Sequence, residues 1–163
     1  MTDVKPPRRP YTSQRRRAQA SGTREAVLAA AQDLFLDLGW VKTTIAAVAR
    51  SAGVSNETIY ATFRTKQALL REVVARAVRG TDADTPLIRQ ERIRQLAGQP
   101  DQAQQIALFA ADVATILARV APLMDVVRTA AGTDADLAVM YQDLHRGRRG
   151  NLGWFAAALL RNG

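Results

Sequence analysis

Two short clusters of hydroxyl and amide side chains carry most of the legible chemistry. Thr43 and Thr44 stand just before Ile45, and Ser55 stands just before Asn56-Glu57-Thr58. Hydroxyls at a helix start lie beside backbone N–H groups that have no intrahelical partner, an arrangement suited to a phosphate oxygen. One step further, Asn56 offers an amide that pairs bidentately with adenine, and Glu57 a carboxylate that accepts from the cytosine amino group. Thr58 and the methyl of Ala61 extend the same face, the latter toward a thymine methyl. Tyr60 reads two ways, as a phosphate or thymine contact or as a half-buried core aromatic. No Arg or Lys lies between Asn56 and Phe63, so this face lacks the arginine–guanine fork. Lys42 and Arg64 flank it and read as phosphate contacts or solvated charges.

Catalysis needs a different constellation, and none is legible. The 163 residues hold no cysteine and a single histidine, His145, set among Arg146, Arg148 and Arg149. That excludes disulfides, zinc ribbons, iron–sulfur clusters and cysteine nucleophiles together, and is compatible with a reducing cytoplasm. There is no phosphate-cradling glycine loop and no cluster of carboxylates, so no enzyme, catalytic residue, metal site or cofactor is expected. The longest uninterrupted apolar stretch, Trp154 to Leu160, is far below the roughly 18–20 residues of a spanning helix, so no membrane partner is expected. The basic N-terminus is followed by no apolar core, so no secretory signal is expected either.

The charge is confined to one end. Residues 1–80 hold 14 basic and 6 acidic side chains, while residues 81–163 hold 9 of each, so the whole formal charge of +8 sits in the first half. Such asymmetry fits a polyanion-binding module joined to a neutral one. Residues 1–20, with Pro6, Pro7, Pro10 and the run Arg15-Arg16-Arg17, have too little apolar surface to offset ordering and read as a flexible basic arm. Arginines tethered there suit a narrow minor groove.

The elements that must position these groups follow from apolar spacing and punctuation. Ser21 or Thr23 caps a first helix whose Val27, Leu28, Ala31, Leu34, Phe35 and Leu38 recur at helical intervals until Gly39. Thr44 caps a short second helix, Gly53 breaks it, and Ser55 caps a third carrying Ile59 and Phe63. Thr65 caps a fourth with Leu69, Leu70, Val73, Val74 and Ala77 on one face. A small residue (Ala49) at a crossing, a glycine in the turn and apolar anchors around it are what a helix-turn-helix requires. Beyond Gly80, Thr85-Pro86 has the order of a helix start. Pro100-Asp101 opens a long helix that Pro122 should interrupt, leaving a further piece over Leu123 to Ala131. A last helix runs from near Asp134 toward Leu160; Gly147, Gly150 and Gly153 within it point to a kink or to close approach of another helix. No alternating strand pattern occurs, and the chain reads as all-α.

The flanks narrow the reading. Gly39-Trp40-Val41-Lys42-Thr43-Thr44-Ile45, followed by Ala52-Gly53-Val54-Ser55-Asn56-Glu57-Thr58-Ile59-Tyr60-Ala61-Thr62-Phe63-Arg64-Thr65-Lys66-Gln67-Ala68-Leu69-Leu70, closely resembles the N-terminal domain of tetracycline-repressor (TetR) family regulators. The resemblance covers about residues 23–79, with its landmarks in register. It implies that Lys66 plays the part of the family's phosphate-contacting lysine. Two positions depart from the pattern: Glu57, where members often have a small residue, and Thr62, where they often have His or Tyr. Both lie on the recognition helix and bear on which operator is read.

The expected architecture is a three-helix helix-turn-helix domain over residues 21–80, joined through the fourth helix to a helical bundle over residues 81–163. By resemblance that bundle encloses an effector and pairs two subunits; Phe109, Met124, Met140, Tyr141 and Trp154 are candidate pocket residues. After Leu160 only Arg161-Asn162-Gly163 remain, where a family regulator usually continues through one or two helices. Self-association is expected through Leu137, Met140, Leu144, Leu152, Phe155 and Leu159. The resemblance implies a cytoplasmic, dimeric, ligand-released repressor of double-stranded DNA. A non-specific or architectural nucleic-acid binder is the alternative.

Overall fold

The computed structural model describes residues 11–80, 82 and 84–162, and among them there are seven α-helices and no strand. The helices are α1 Tyr11–Lys42, α2 Ile45–Ala52, α3 Asn56–Phe63, α4 Lys66–Arg79, α5 Glu91–Ala97, α6 Gln102–Ala131 and α7 Ala135–Asn162, with a 3-10 turn at Leu87–Arg89 before α5.

The first helix starts earlier than its composition predicts. Residues 11–20 continue α1 instead of forming a flexible arm, because a helix once nucleated propagates through Gln and Arg at little cost. The backbone of Arg15, Arg16 and Arg17 is helical, while their side chains, and all of residues 1–10, lie outside the described part. Gly39 ends the regular run at φ 71°, a left-handed value that favours glycine.

One core serves both halves. Phe35 of α1, Val48 of α2, Ile59 of α3 and Leu70 of α4 are buried in the same cluster as Leu123 of α6 and Leu137 of α7. α6 packs on α1, α4 and α7, so the helix-turn-helix end is closed from behind by the C-terminal half.

Three local expectations are corrected. Pro122 does not divide α6: its ring is exposed, and Val120, Leu123 and Val127 on either side are held in the core, which offsets the roughly 3 kcal/mol that an interior proline costs. Gly147, Gly150 and Gly153 bring no helix close; a Cβ at any of them would meet nothing within 4 Å, and α7 runs on through them. The expected self-association face is also split, since Leu137, Met140 and Phe155 are buried within the chain. Of that set only Leu152 is exposed, and the other exposed large apolar side chains nearby are Val139 and Leu160. Separately, α6 is long and apolar enough to cross a membrane by length and composition, although polar residues break its apolar runs. Its charged residues are engaged within the protein: Asp112 pairs with Arg92, and Arg119 Nε donates to the Ala77 carbonyl.

Candidate nucleic-acid interface

Each turn around α2 and α3 is closed by a residue whose chemistry suits it. The Thr44 hydroxyl accepts from Ala47 N–H at 3.1 Å. At the other end of α2, Gly53 takes φ 67°, and the N–H of Val54 returns to the Ala49 carbonyl at 3.0 Å, the bond pattern of a left-handed glycine cap. The Ser55 hydroxyl accepts from Thr58 N–H at 3.3 Å and opens α3. α3 then ends in a tight turn: Arg64 has φ 65° and ψ −46°, and Thr65 N–H reaches the Phe63 carbonyl at 2.7 Å, the geometry of a strained γ-turn. Thr65 in turn accepts from Ala68 N–H at 3.0 Å and starts α4.

These caps fix which side of α3 faces out. Ile59 and Phe63 are buried, whereas Asn56, Glu57, Tyr60, Ala61 and Thr62 are exposed and Thr58 is half-buried. Tyr60 is 51% exposed, so it stands on the outer face and is not a core aromatic. The Thr62 hydroxyl is turned inward along the helix, donating to the Thr58 carbonyl at 2.9 Å. Glu57 is held below the usual carboxylate range, first by a hydrogen bond from its own backbone N–H and second by one from Ser55. It therefore presents an ionised, acceptor-only group to whatever approaches α3.

Two residues predicted to meet phosphate are placed otherwise. Thr43 is fully buried, and its hydroxyl donates to the carbonyls of Leu34 at 2.9 Å and Gly39 at 2.8 Å. It plugs the end of α1, and its N–H is spent on the Gly39 carbonyl as well, so it cannot reach an anion. Of the adjacent pair only Thr44 remains on the surface. Lys66 is half-buried: its ammonium lies 4.0 Å from the centre of the Trp40 ring and donates to the Trp40 carbonyl. Burial lowers its pKa, with Asp134 acting in the opposite direction. Lys66 thus holds α4 to the turn after Gly39, where Trp40 also stacks on Phe35, before it meets any phosphate. Trp40 carries no charge and no periodic signal, so nothing in the sequence marked this role.

On the far side of α4 lies a cavity of about 680 Å³ between α4, α5, α6 and α7. Phe109, Met124, Tyr141 and Trp154 line it. Met140 does not; it is buried in the shared core. The cavity wall is tied to the end of α4 by two side chains the sequence did not single out. Gln90, 2% exposed, donates from Nε2 to the carbonyls of Arg79 and Asp82 at 2.9 Å and of Thr85 at 3.2 Å. Arg119 Nε donates to the Ala77 carbonyl at 2.9 Å, and its guanidinium lies over Gly80. Among the described residues, no three His, Asp or Glu side chains are grouped so as to hold a metal ion.

Two short helices joined by a glycine cap, the second exposing a polar face and the first burying the small residue Ala49, define a helix-turn-helix domain. Its sequence places it more narrowly: residues 27–73 match the bacterial regulatory proteins of the tetR family. Similarity extends to the HTH-type transcriptional repressor BepR of Brucella suis biovar 1 (strain 1330), 38% identical over 63 residues. The match covers 39% of this chain and 30% of that repressor, so the chain spans less than a third of its relative's length in common sequence. No solved structure matches the chain significantly.

Proposed function

We propose that this protein is a sequence-specific transcriptional regulator that binds an inverted-repeat operator as a dimer and leaves it when an effector occupies the C-terminal cavity. The observation that carries this reading is the outward polar face of α3. Asn56, Glu57, Tyr60 and Ala61 are exposed together while Ile59 and Phe63 anchor the helix from behind. Asn56 and Glu57 read base edges; Thr44 and Ser55 lie at the helix starts for phosphate contacts, with Thr58 and Thr62 further along α3 and Lys66 holding the adjoining turn.

Dimerisation is supported by α6, whose most apolar window is only 11% buried, with Ile106 and Leu108 exposed on it. A helix that apolar is energetically costly to leave in water. Two recognition helices must then lie about 34–36 Å apart to enter successive major grooves. Release follows if an effector changes the separation of the two α4 helices, and DNA must weaken effector binding equally. Such a protein acts where the DNA is, in the cytoplasm.

The test is selection of sites from random duplex DNA at about 150 mM salt, where affinity and salt slope are both meaningful. Enrichment of an inverted repeat is expected. Half-sites without symmetry would remove the dimer, and no enrichment would leave a non-specific nucleic-acid binder. If about six phosphates are neutralised per subunit, log affinity falls with log salt at a slope near −5, and a flat profile would sink the electrostatic part.

A further inference from the structure

The chemistry of the cavity says what kind of molecule it accepts. Three carboxylates reach it, Asp112, Asp125 and Asp143. All three are committed: Asp112 to Arg92, Asp125 to Arg128 at 3.2 Å, and Asp143 to both Arg71 at 3.5 Å and Arg146 at 3.0 Å. A cationic ligand would have to break an ion pair to find a counter-charge. Arg148 differs from these arginines. It lines the cavity, is exposed, and pairs with no carboxylate among the described residues. His145 and Asn151 line the cavity too, and their spacing of three puts them on the same face of α7 as Arg148. Arg71 and Arg146 neutralise Asp143, the one carboxylate that α7 brings to this wall, so Arg148 adds net positive charge beside two further polar side chains. Most of the remaining wall is apolar. Phe109 and Phe155 stack with ring centres 3.6 Å apart, and Trp154, Met124, Ile116 and Val113 continue the surface. At about 680 Å³ the space lies in the range of small-molecule sites.

We propose that the cavity binds a hydrophobic carboxylate: an aromatic or alkyl body seated against Phe109, Phe155 and Trp154, with its anionic head on the guanidinium of Arg148. The planar guanidinium suits a carboxylate through two parallel N–H donors, and the apolar wall keeps competing water away from the body. Neutral molecules of the same shape gain the burial but not the pairing. Amines meet an excess of positive charge. This inference rests on the reading of the cavity as an effector site.

The test uses the full chain and three probes with one body and different heads: naphthylacetate, naphthylacetamide and naphthylethylamine. Direct binding is followed by calorimetry and by quenching of Trp154, with Trp40 at the α1–α4 junction as the second, distant tryptophan. The acid is expected to bind about tenfold more tightly than the amide, and the amine most weakly. Arg148→Gln should bring the acid down to the affinity of the amide. Arg149→Gln, an equal loss of charge on an exposed residue that does not line the cavity, should change nothing. Equal affinity for the three probes, preference for the amine, no binding by any of them, or an unaffected Arg148→Gln protein would each overturn the proposal. Operator affinity without probe reads the DNA-binding proposal separately. Tight binding of the acid with no operator release would preserve the ligand class and remove the release mechanism.

Discussion

α3 and α6 solve opposite problems with the same backbone. The eight residues of α3 bury two side chains and turn most of the rest to the outside, and every feature of its placement is written within a few positions of it. The thirty residues of α6 have a long apolar run of which little is buried, and its neighbours come from α1, α4 and α7, far away in sequence. A reading head must be short, rigid and polar outward, so caps and a glycine suffice to specify it. A helix that walls a cavity and supports a core is specified by what packs on it.

The sharpest way to break this comparison is through the core that the two helices share. Phe35→Ala should cost about 3–5 kcal/mol and Leu123→Ala about 2–5 kcal/mol, each as a shift of a single unfolding transition. Two separate transitions in denaturant would show that the halves fold independently. Ile106→Ala, on the exposed side of α6, should stay within about 0.5 kcal/mol of the parent in the isolated chain, though not if a second copy covers it.

A smaller effect distinguishes reading from anchoring on α3. If Glu57 reads a base edge as proposed, Glu57→Gln should relax preference at one base pair by about 1–3 kcal/mol and leave the salt slope unchanged, because no phosphate contact is lost. Lys42→Gln should weaken all sequences alike and flatten the slope, as site selection at two salt concentrations would reveal.

The two threonines before α2 provide a finer test. Thr43→Val removes the hydroxyl that satisfies the Leu34 and Gly39 carbonyls and should cost about 1–3 kcal/mol of stability. Thr44→Ala should cost about 0.5–2 kcal/mol through the lost cap, and it should also weaken DNA binding. Equal loss of operator affinity in both variants at matched stability would return Thr43 to the interface.

The smallest effect expected is a pH slope. Burial lowers the folded pKa of Lys66, so between that value and its ordinary one near 10.5 the unfolded chain binds more protons. Stability should therefore rise with pH in this window, and the rise should vanish in Lys66→Met. Glu57 gives a slope of the same sign in its own, acidic window. Its lowered pKa adds stability above the ordinary carboxylate value that is lost as pH falls through the folded value. Thermal melts across both ranges should therefore show stability rising with pH in each.

Local chemistry made the helix-turn-helix legible. Thr44, Gly53, Ser55 and Thr65 act within four residues of themselves, so their roles follow from type and position. The outward residues of α3 were legible for the same reason, since burying Ile59 and Phe63 leaves Asn56, Glu57, Tyr60, Ala61 and Thr62 outside. Thr43 was not, because two adjacent threonines look alike until one is seen to turn back into the end of α1. Pro122 and the three glycines of α7 misled for a related reason: they weaken a helix locally, but packing at Val120, Leu123 and Val127, or simply open space, decides whether it breaks.

By itself the sequence determined an all-helical chain, a capped and glycine-turned pair of short helices, and a basic first half. These depend on backbone dihedrals, hydrogen-bond valence and charge, which act at short range or by simple sum. Only the tertiary structure decided that Met140 belongs to the core and not to the cavity, that Lys66 lies on Trp40, that Gln90 and Arg119 grip the end of α4, and that Arg148 meets no carboxylate among the described residues. Each of those depends on the distance between residues remote in the chain, and that distance is set by how whole helices pack.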